Sequence, residues 1–419
     1  MDFIKIAQTA KAASLEIADV EIAVRNRALL KIAEELETRK EEIFAANKED
    51  LDASAKYVEW GEMSKSVFNR LKLDENKMRD MIQGIRDVAA LPDPVNKKLL
   101  VRELDKGLLL YKVSCPIGVL GIIFEARPDV IGQISALAIK SANAVILKGG
   151  KEAKNTNKKI FSVINSALAK IKRFPKNVIQ QVYTREDVGQ MLACDKYINL
   201  IIPRGGNALV KYIKENTKIP VLGHADGICH IFVDESADLE MAEKIIVDSK
   251  TQYPSACNSV ETLLIHGGFP YKEKLLAALQ LAEIKLNYLP DNWSVEYGDK
   301  ILAFKYVDTL EEAINHINTY GSGHTDCIIT RDAANGEKFM NRVDSAGVYM
   351  NASTRFADGY RYGFGAEVGI STNKIHARGP VGLDGLTIYK YKLIGNGQVV
   401  EDYVSGNHKF THKDMPVNR

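Results

Sequence analysis

The sequence predicts an α/β protein: two doubly wound α/β domains joined to a β-hairpin element. Three observations lead there. Apolar runs of strand length, such as "GVLGIIF" and "AVILK", alternate with amphipathic helical stretches, the mark of βαβ units whose parallel sheet is covered on both faces. The alternation begins afresh near Ser236. Between a charged N-terminal stretch and the first apolar strand, "LLVRELDKGLLLYKVSCP" reads instead as two strands around Asp105-Lys106-Gly107, where glycine accepts a left-handed turn.

Taken in order, residues from about Leu15 to Met81 are helix-rich, with Leu29, Ile32, Ala33 and Leu36 on one apolar face at i, i+3, i+4, i+7 spacing. The hairpin follows. Then come "GVLGIIF" as a strand, "DVIGQISALAIKSA" as a helix with Val130, Ile134, Leu137 and Ser141 on one side, "AVILK", and a helix carrying Ile160, Ile164, Leu168 and Ile171. Strands "NVIQQVY" and "YINLIIP", helix "NALVKYIKEN", and strands "IPVL" and "CHIFVD" complete the first domain. The second opens with Asp238 and Glu240 in the first turn of a helix bearing Leu239, Ala242, Ile245 and Ile246. Strands "VETLLIH" and "DCIITRD" lie further on, with "ILAFKYVDTLEEAINHIN" as strand and helix. The alternating strand "LTIYKYKLIG" closes the chain, and its expected partner is an exposed edge such as the hairpin of a second subunit.

Composition excludes several function classes. In 419 residues, 56 Lys+Arg balance 54 Asp+Glu, and the charges are dispersed, so no nucleic-acid or membrane footprint is expected. The most apolar run, "VSCPIGVLGIIF", is too short to span a bilayer, which makes a cytoplasmic protein the expectation. Five scattered cysteines without a CxxC pair, and histidines without HExxH, give no expected disulfide framework and no expected metal.

Neither GxGxxG nor GxxxxGK[ST] occurs. Two glycine loops are nevertheless suited to phosphate. In "AVILKGGKEA", Lys148 ends a strand and Lys151 starts toward a helix. In "LIIPRGGNALV", Arg204, Gly205, Gly206 and Asn207 precede a helix whose N-terminal N–H groups favour an anion. Spacing alone equally allows a solvated strand end and a plain turn. Cys257, in "YPSACNS", stands among small polar residues in a helix-to-strand connection; a nucleophile there needs neighbouring cations or N–H donors, which sequence does not reveal. Cys115, Cys229 and Cys327 lie in strand contexts and read as core residues, and Cys194 fits either reading. His324, in "YGSGHTDC", is a candidate site residue or a satisfied loop histidine; Arg355, Arg361 and Arg378 lie in or beside a glycine-rich region and are either anion-binding or solvated.

The ordered set "PIGVLGIIFEARPDV", "NAVILKGGKEA", "IIPRGGNALV", "VLGHADGICHIFVDESADL", "QYPSACNSVETLLIH", "AINHINTYGSGHTDCIIT" and "GFGAEVGISTNKIHARGPVGL" covers nearly the whole chain. It resembles the gamma-glutamyl phosphate reductase family, a branch of the aldehyde dehydrogenase superfamily. The resemblance implies an aldehyde dehydrogenase-like fold with an NADPH-binding domain (1–99 and 122–234), a catalytic domain with a nucleophilic cysteine (235–378) and an oligomerisation hairpin and C-terminal strand (100–121 and 379–419) that builds a dimer or tetramer. It further implies reduction of L-glutamate 5-phosphate to the 5-semialdehyde and phosphate through a cysteine thioester, in proline biosynthesis, with the acyl phosphate supplied by a glutamate 5-kinase. The product then cyclises spontaneously to 1-pyrroline-5-carboxylate.

Carried onto this chain, the resemblance makes Cys257 the nucleophile. Lys148 becomes the lysine at the adenosine ribose, and Lys151 a cation suited to the 2′-phosphate of NADPH. Arg204 to Asn207 form the pyrophosphate turn, and Glu296 is the carboxylate at the nicotinamide ribose. Arg127, His324 and Arg355 are candidates, from charge and loop context, for the substrate's α-amino and α-carboxylate groups. Two departures stand out. Val221 occupies the place of the superfamily's hydrolytic glutamate, and Ala126 the place of its oxyanion-stabilising asparagine, which leaves the Cys257 backbone N–H as the default oxyanion donor.

Overall fold

A computed structural model describes residues 2–223 and 226–417. The chain divides into two compact units, one of Met1–Gly205, Ile213–Val221 and Gly382–Arg419, the other of Gly206–Tyr212 and Leu222–Val381.

The first unit begins with helices α1 (Phe3–Ala18), α2 (Ile22–Thr38), α3 (Lys40–Glu59), α4 (Lys65–Leu71) and α5 (Glu75–Ala90). Asp2, Ser64 and Asp74 cap α1, α4 and α5 by accepting backbone N–H groups, which satisfies donors a helix start leaves open. The expected face of α2 is buried, with Leu29, Ile32, Ala33 and Leu36 at most 1 % exposed. It packs against α5 and against two later helices, α6 (Val130–Lys140) and α7 (Lys154–Ala169).

Strands β1 (Lys98–Asp105) and β2 (Leu108–Pro116) form the expected hairpin, with Gly107 at φ +75°. The C-terminal strand Thr387–Ile394 pairs antiparallel with β2 of this same chain, in register Ile388↔Cys115 and Ile394↔Leu109. The edge it pairs with is thus the hairpin of this same chain. Alternation identifies a strand but not which chain supplies its partner.

Strands β3 (Val119–Phe124), β4 (Ala144–Lys148), β5 (Ile179–Val182) and β6 (Leu200–Arg204) make a parallel sheet in the order β5-β4-β3-β6. Its strands are buried on both faces: from Ala144 to Leu147 none is exposed. Helix α8 (Arg185–Leu192) precedes β6, and α9 (Asn207–Glu215) carries the chain out of the first unit and back. "IPVL" forms no strand and makes only an isolated bridge, Ile201↔Val221.

The second unit holds β7 (Cys229–Val233), α10 (Leu239–Thr251), β8 (Val260–His266), α11 (Lys272–Leu281), β9 (Lys285–Tyr288), β10 (Ile301–Val307), α12 (Leu310–Tyr320), β11 (Thr325–Ile329), α13 (Ala333–Arg342) and β12 (Gly347–Met350). All six strands run parallel, in the order β12-β11-β7-β8-β10-β9. The pleat divides each apolar run between two cores. Ile231, Val233, Leu263, Ile265, Cys327 and Ile329 join the core that also contains Ile245 and Ile246 of α10. Phe232, Leu264 and Ile328 join the opposite core with Ile314, Ile317 and Phe339.

Since β7 is a central strand of this sheet, the unit boundary falls after Val221, not after Asp234. The hairpin and C-terminal strand group with the first unit, and their boundary lies after Val381 instead of after Arg378. Among the described residues no helix is long and apolar enough to cross a membrane.

Candidate active site

In the first sheet β4 and β6 flank β3, so strand order reverses at β3, and the carboxyl ends there are where open α/β sheets take ligands. Three predicted elements lie at that edge. Lys148 ends β4, Arg204 ends β6, and Arg127 follows β3 in the turn into α6. Lys148 is half-buried and its ammonium makes no hydrogen bond or ion pair among the described residues. Burial holds its pKa below the usual lysine value, opposed by the charges of Glu152, Glu125 and Asp187. Lys151 is exposed.

Ala126 adopts a left-handed φ of +42° and donates its N–H to Glu152 Oε1 at 2.7 Å. Its amide is therefore already engaged. Gly205 closes the first unit's segment, and Gly206 and Asn207 belong to the second. A Cβ placed on Gly206 would meet nothing within 4 Å. Within the first unit, a half-buried ammonium without an ion-pair partner among the described residues and an exposed lysine three residues on suit a phosphorylated ligand.

In the second unit Cys257 sits at the amino edge of the sheet, in the turn between α10 and β8. Ala256 N–H donates to Tyr253 O at 3.1 Å and Ser259 N–H to Ala256 O at 2.8 Å, which shapes the loop. The thiol is partly exposed. Its own backbone N–H donates to no group among the described residues, so it is free to serve a developing oxyanion. Behind it, Cys229 Sγ donates to Cys257 O at 3.4 Å.

The loop at 353–357 is stitched to this turn. Asn258 Nδ2 donates to Ala357 O at 2.8 Å, and Thr354 Oγ1 donates to Asn258 O at 2.7 Å. Those bonds bring in Arg355, buried to 8 % exposure, whose Nε donates to Gln252 Oε1 at 2.9 Å and whose guanidinium carbon lies 5.9 Å from the Tyr253 ring centre. Burial lowers the Arg355 pKa and nearby Arg361 lowers it further, while the Cys257 thiolate favours its charged form. The cation that sequence could not supply for Cys257 is thus Arg355, a hundred residues away along the chain.

Glu296 joins the same neighbourhood. Its Oε2 accepts Gly227 N–H at 3.2 Å and Asn207 Nδ2 at 3.2 Å. Asn207 Nδ2 also donates to Asp226 Oδ1 at 2.6 Å. Gly227 lies directly on the Cys257 backbone, where an added Cβ would fall 2.5 Å from Cys257 Cα. Glu296 Oε1 has no partner among the described residues, which suits an acceptor for ribose hydroxyls.

The His324 imidazole is fully buried. Its Nδ1 bonds the Thr325 hydroxyl at 2.9 Å and lies 3.9 Å from Cys229 Sγ. Cys229 and Cys327 are buried as expected, whereas Cys115 is only half-buried.

Two residues escaped the sequence reading. Lys250 of α10 and Glu261 of β8 are both completely buried, with Lys250 Nζ 2.8 Å from Glu261 Oε2, which also accepts Tyr297 N–H at 3.2 Å. The pair ties the segment carrying Glu296 to the strand that follows Cys257. A carboxylate inside the apolar run "VETLLIH" was the available signal.

The comparisons with known proteins agree with this geometry. Residues 1–291 match the model of the aldehyde dehydrogenase family, whose members are oxidoreductases. A gamma-glutamyl phosphate reductase of Brachyspira hyodysenteriae is 57 % identical over 99 % of this chain and 99 % of its own length. One of Pelotomaculum thermopropionicum is 52 % identical over 99 % and 98 %. The crystal structure of the Thermotoga maritima gamma-glutamyl phosphate reductase superposes with a TM-score of 0.91 at 37 % identity, covering 95 % of this chain and all of that one. The chain belongs to the aldehyde dehydrogenase family and, within it, to the gamma-glutamyl phosphate reductases.

Proposed function

We propose that this chain reduces L-glutamate 5-phosphate to L-glutamate 5-semialdehyde and phosphate, using NADPH and a thioester on Cys257. The observation that carries this reading is a partly exposed Cys257 with an uncommitted backbone N–H and Arg355 held beside it. The likeness to gamma-glutamyl phosphate reductases over nearly the whole chain supports this choice of substrate.

Sγ attacks the acyl carbon while the Cys257 N–H takes the developing oxyanion. The C–O bond to phosphate then breaks. Lys148, Lys151, Arg204 to Asn207 and Glu296 would hold NADPH, which when bound supplies the hydride that converts the thioester to a thiohemiacetal. Expulsion of the cysteine sulfur from that adduct releases the semialdehyde. Glu296 and Gly227 keep the Cys257 loop in place throughout. Val221, where the superfamily's hydrolytic carboxylate is expected, spares the thioester from water.

In this reading the first unit's parallel sheet is the cofactor domain and the second unit the catalytic one. The hairpin and C-terminal strand, with Tyr389, Tyr391, Leu393 and Ile394 exposed, form the contact that builds a dimer or tetramer. Cys257→Ser is expected to lose turnover by about 10³-fold or more while still binding NADPH; near-normal turnover would rule the mechanism out.

A further inference from the structure

Arg361 has no part in the mechanism above, and Arg355 enters it only as a neighbour of Cys257. Arg355 is more than nine-tenths buried, yet neither it nor Arg361 makes an ion pair among the described residues. Only the Arg355 Nε is engaged, on Gln252; its two terminal nitrogens donate to nothing among the described residues. Arg361 Nη1 donates to the backbone carbonyl of Arg355 at 2.6 Å, which anchors the second guanidinium on the first residue's main chain, near enough for the two charges to repel. The nearest acid in sequence, Asp358, is occupied by the backbone N–H groups of Tyr360 and Arg361.

Burying a guanidinium with no direct ion pair is costly; Asp358 and Asp248 favour its charge from beyond ion-pair distance, while the second cation opposes it. Such an arrangement is stabilised by an anion that arrives with the substrate. Gln252 lies five residues before Cys257, so the Arg355 fork is tethered to the nucleophile's own loop, and the thiolate's field reaches it.

Resting on the proposed reaction, we infer that Arg355 and Arg361 receive the phosphoryl group of the acyl phosphate and hold the phosphate that leaves. The phosphate oxygen is bonded to the carbon that Sγ attacks, whereas the α-carboxylate lies at the opposite end of the substrate chain. A cation coupled to Sγ is placed for the former. The guanidinium fork also matches phosphate in a bidentate manner. In the step itself the S–C bond forms and the C–O bond breaks; its electron pair leaves on phosphate, the thiol proton passes to that oxygen, and the products are the thioester and hydrogen phosphate. No electrons are exchanged at this stage.

The test runs the reaction in the oxidative direction, with 1-pyrroline-5-carboxylate, NADP and inorganic phosphate. Arg355→Lys and Arg361→Ala are each expected to raise the KM for phosphate about tenfold or more, with the KM for 1-pyrroline-5-carboxylate changed less than about twofold. Without cofactor, inorganic phosphate should slow alkylation of Cys257 by iodoacetamide in the parent protein and lose that protection in both variants. Arg361 is exposed, so its variant decides the matter even where Arg355→Lys fails to fold. A raised KM for 1-pyrroline-5-carboxylate with an unchanged phosphate KM overturns the assignment and gives these arginines to the α-carboxylate. NADP reduction by the parent protein that needs no phosphate instead overturns the underlying acyl-phosphate reading.

Discussion

Lys250 Nζ lies 2.8 Å from Glu261 Oε2, with both side chains wholly removed from solvent. Burial pushes the Glu261 pKa up to about 7, against the pull of Lys250, and pulls the Lys250 pKa down. Removing one partner strands the other as an uncompensated buried charge. Glu261→Gln and Lys250→Met should each cost about 3–5 kcal/mol, and the double substitution much less than their sum. Urea midpoints across the double-mutant cycle measure this. Near-additive losses would mean that the two side chains are not coupled.

His316, buried beside Trp293 and Tyr320, predicts an acid-side loss of stability. Burial lowers its pKa from 6.5 to about 3, with His230 contributing in the same direction. The unfolded chain therefore binds a proton that the folded one refuses. This contribution is complete above pH 6.5 and disappears as the pH falls toward 3. Its size is a few kcal/mol, at about 1.4 per pKa unit. His316→Phe should flatten the pH dependence of the melting temperature between pH 6.5 and 4; an unchanged slope would assign that loss to other groups.

Gly227 touches the nucleophile through backbone alone, and a methyl group there would stand 2.5 Å from Cys257 Cα. Gly227→Ala should displace the thiol and lower kcat by about 10²-fold, since a shift of about 1 Å suffices for that. Turnover near the parent value would show that the Cys257 loop tolerates the displacement.

Val221 predicts the effect of restoring a base. Val221→Glu should raise hydrolysis of the acyl-enzyme, seen as phosphate release without matching NADPH oxidation. An unaltered ratio of the two would remove Val221 from its assigned place.

Most of the parallel-strand framework was legible because buried strands read as unbroken apolar runs and helices as 3.6-residue stripes. The strand at Cys229–Val233 was read as a strand but given to the wrong sheet, because an apolar run records burial and not its neighbour. For the same reason, which chain's edge the C-terminal strand joins was not legible. The partial exposure of Cys257 agrees with its small polar neighbours, but the approach of the Arg355 loop was not legible, because hydrogen bonds join segments about a hundred residues apart. The burial of His324 is likewise set by tertiary packing, which the glycine and serine beside it in sequence do not reveal.

The central claim, that Cys257 exchanges its acyl group with phosphate and not with water, is tested most directly by running the reaction backward. The purified protein is given 1-pyrroline-5-carboxylate and NADP with and without inorganic phosphate, and NADPH formation is followed by absorbance. The account predicts sustained NADPH formation only when phosphate is present. Sustained formation at the same rate without phosphate would contradict it.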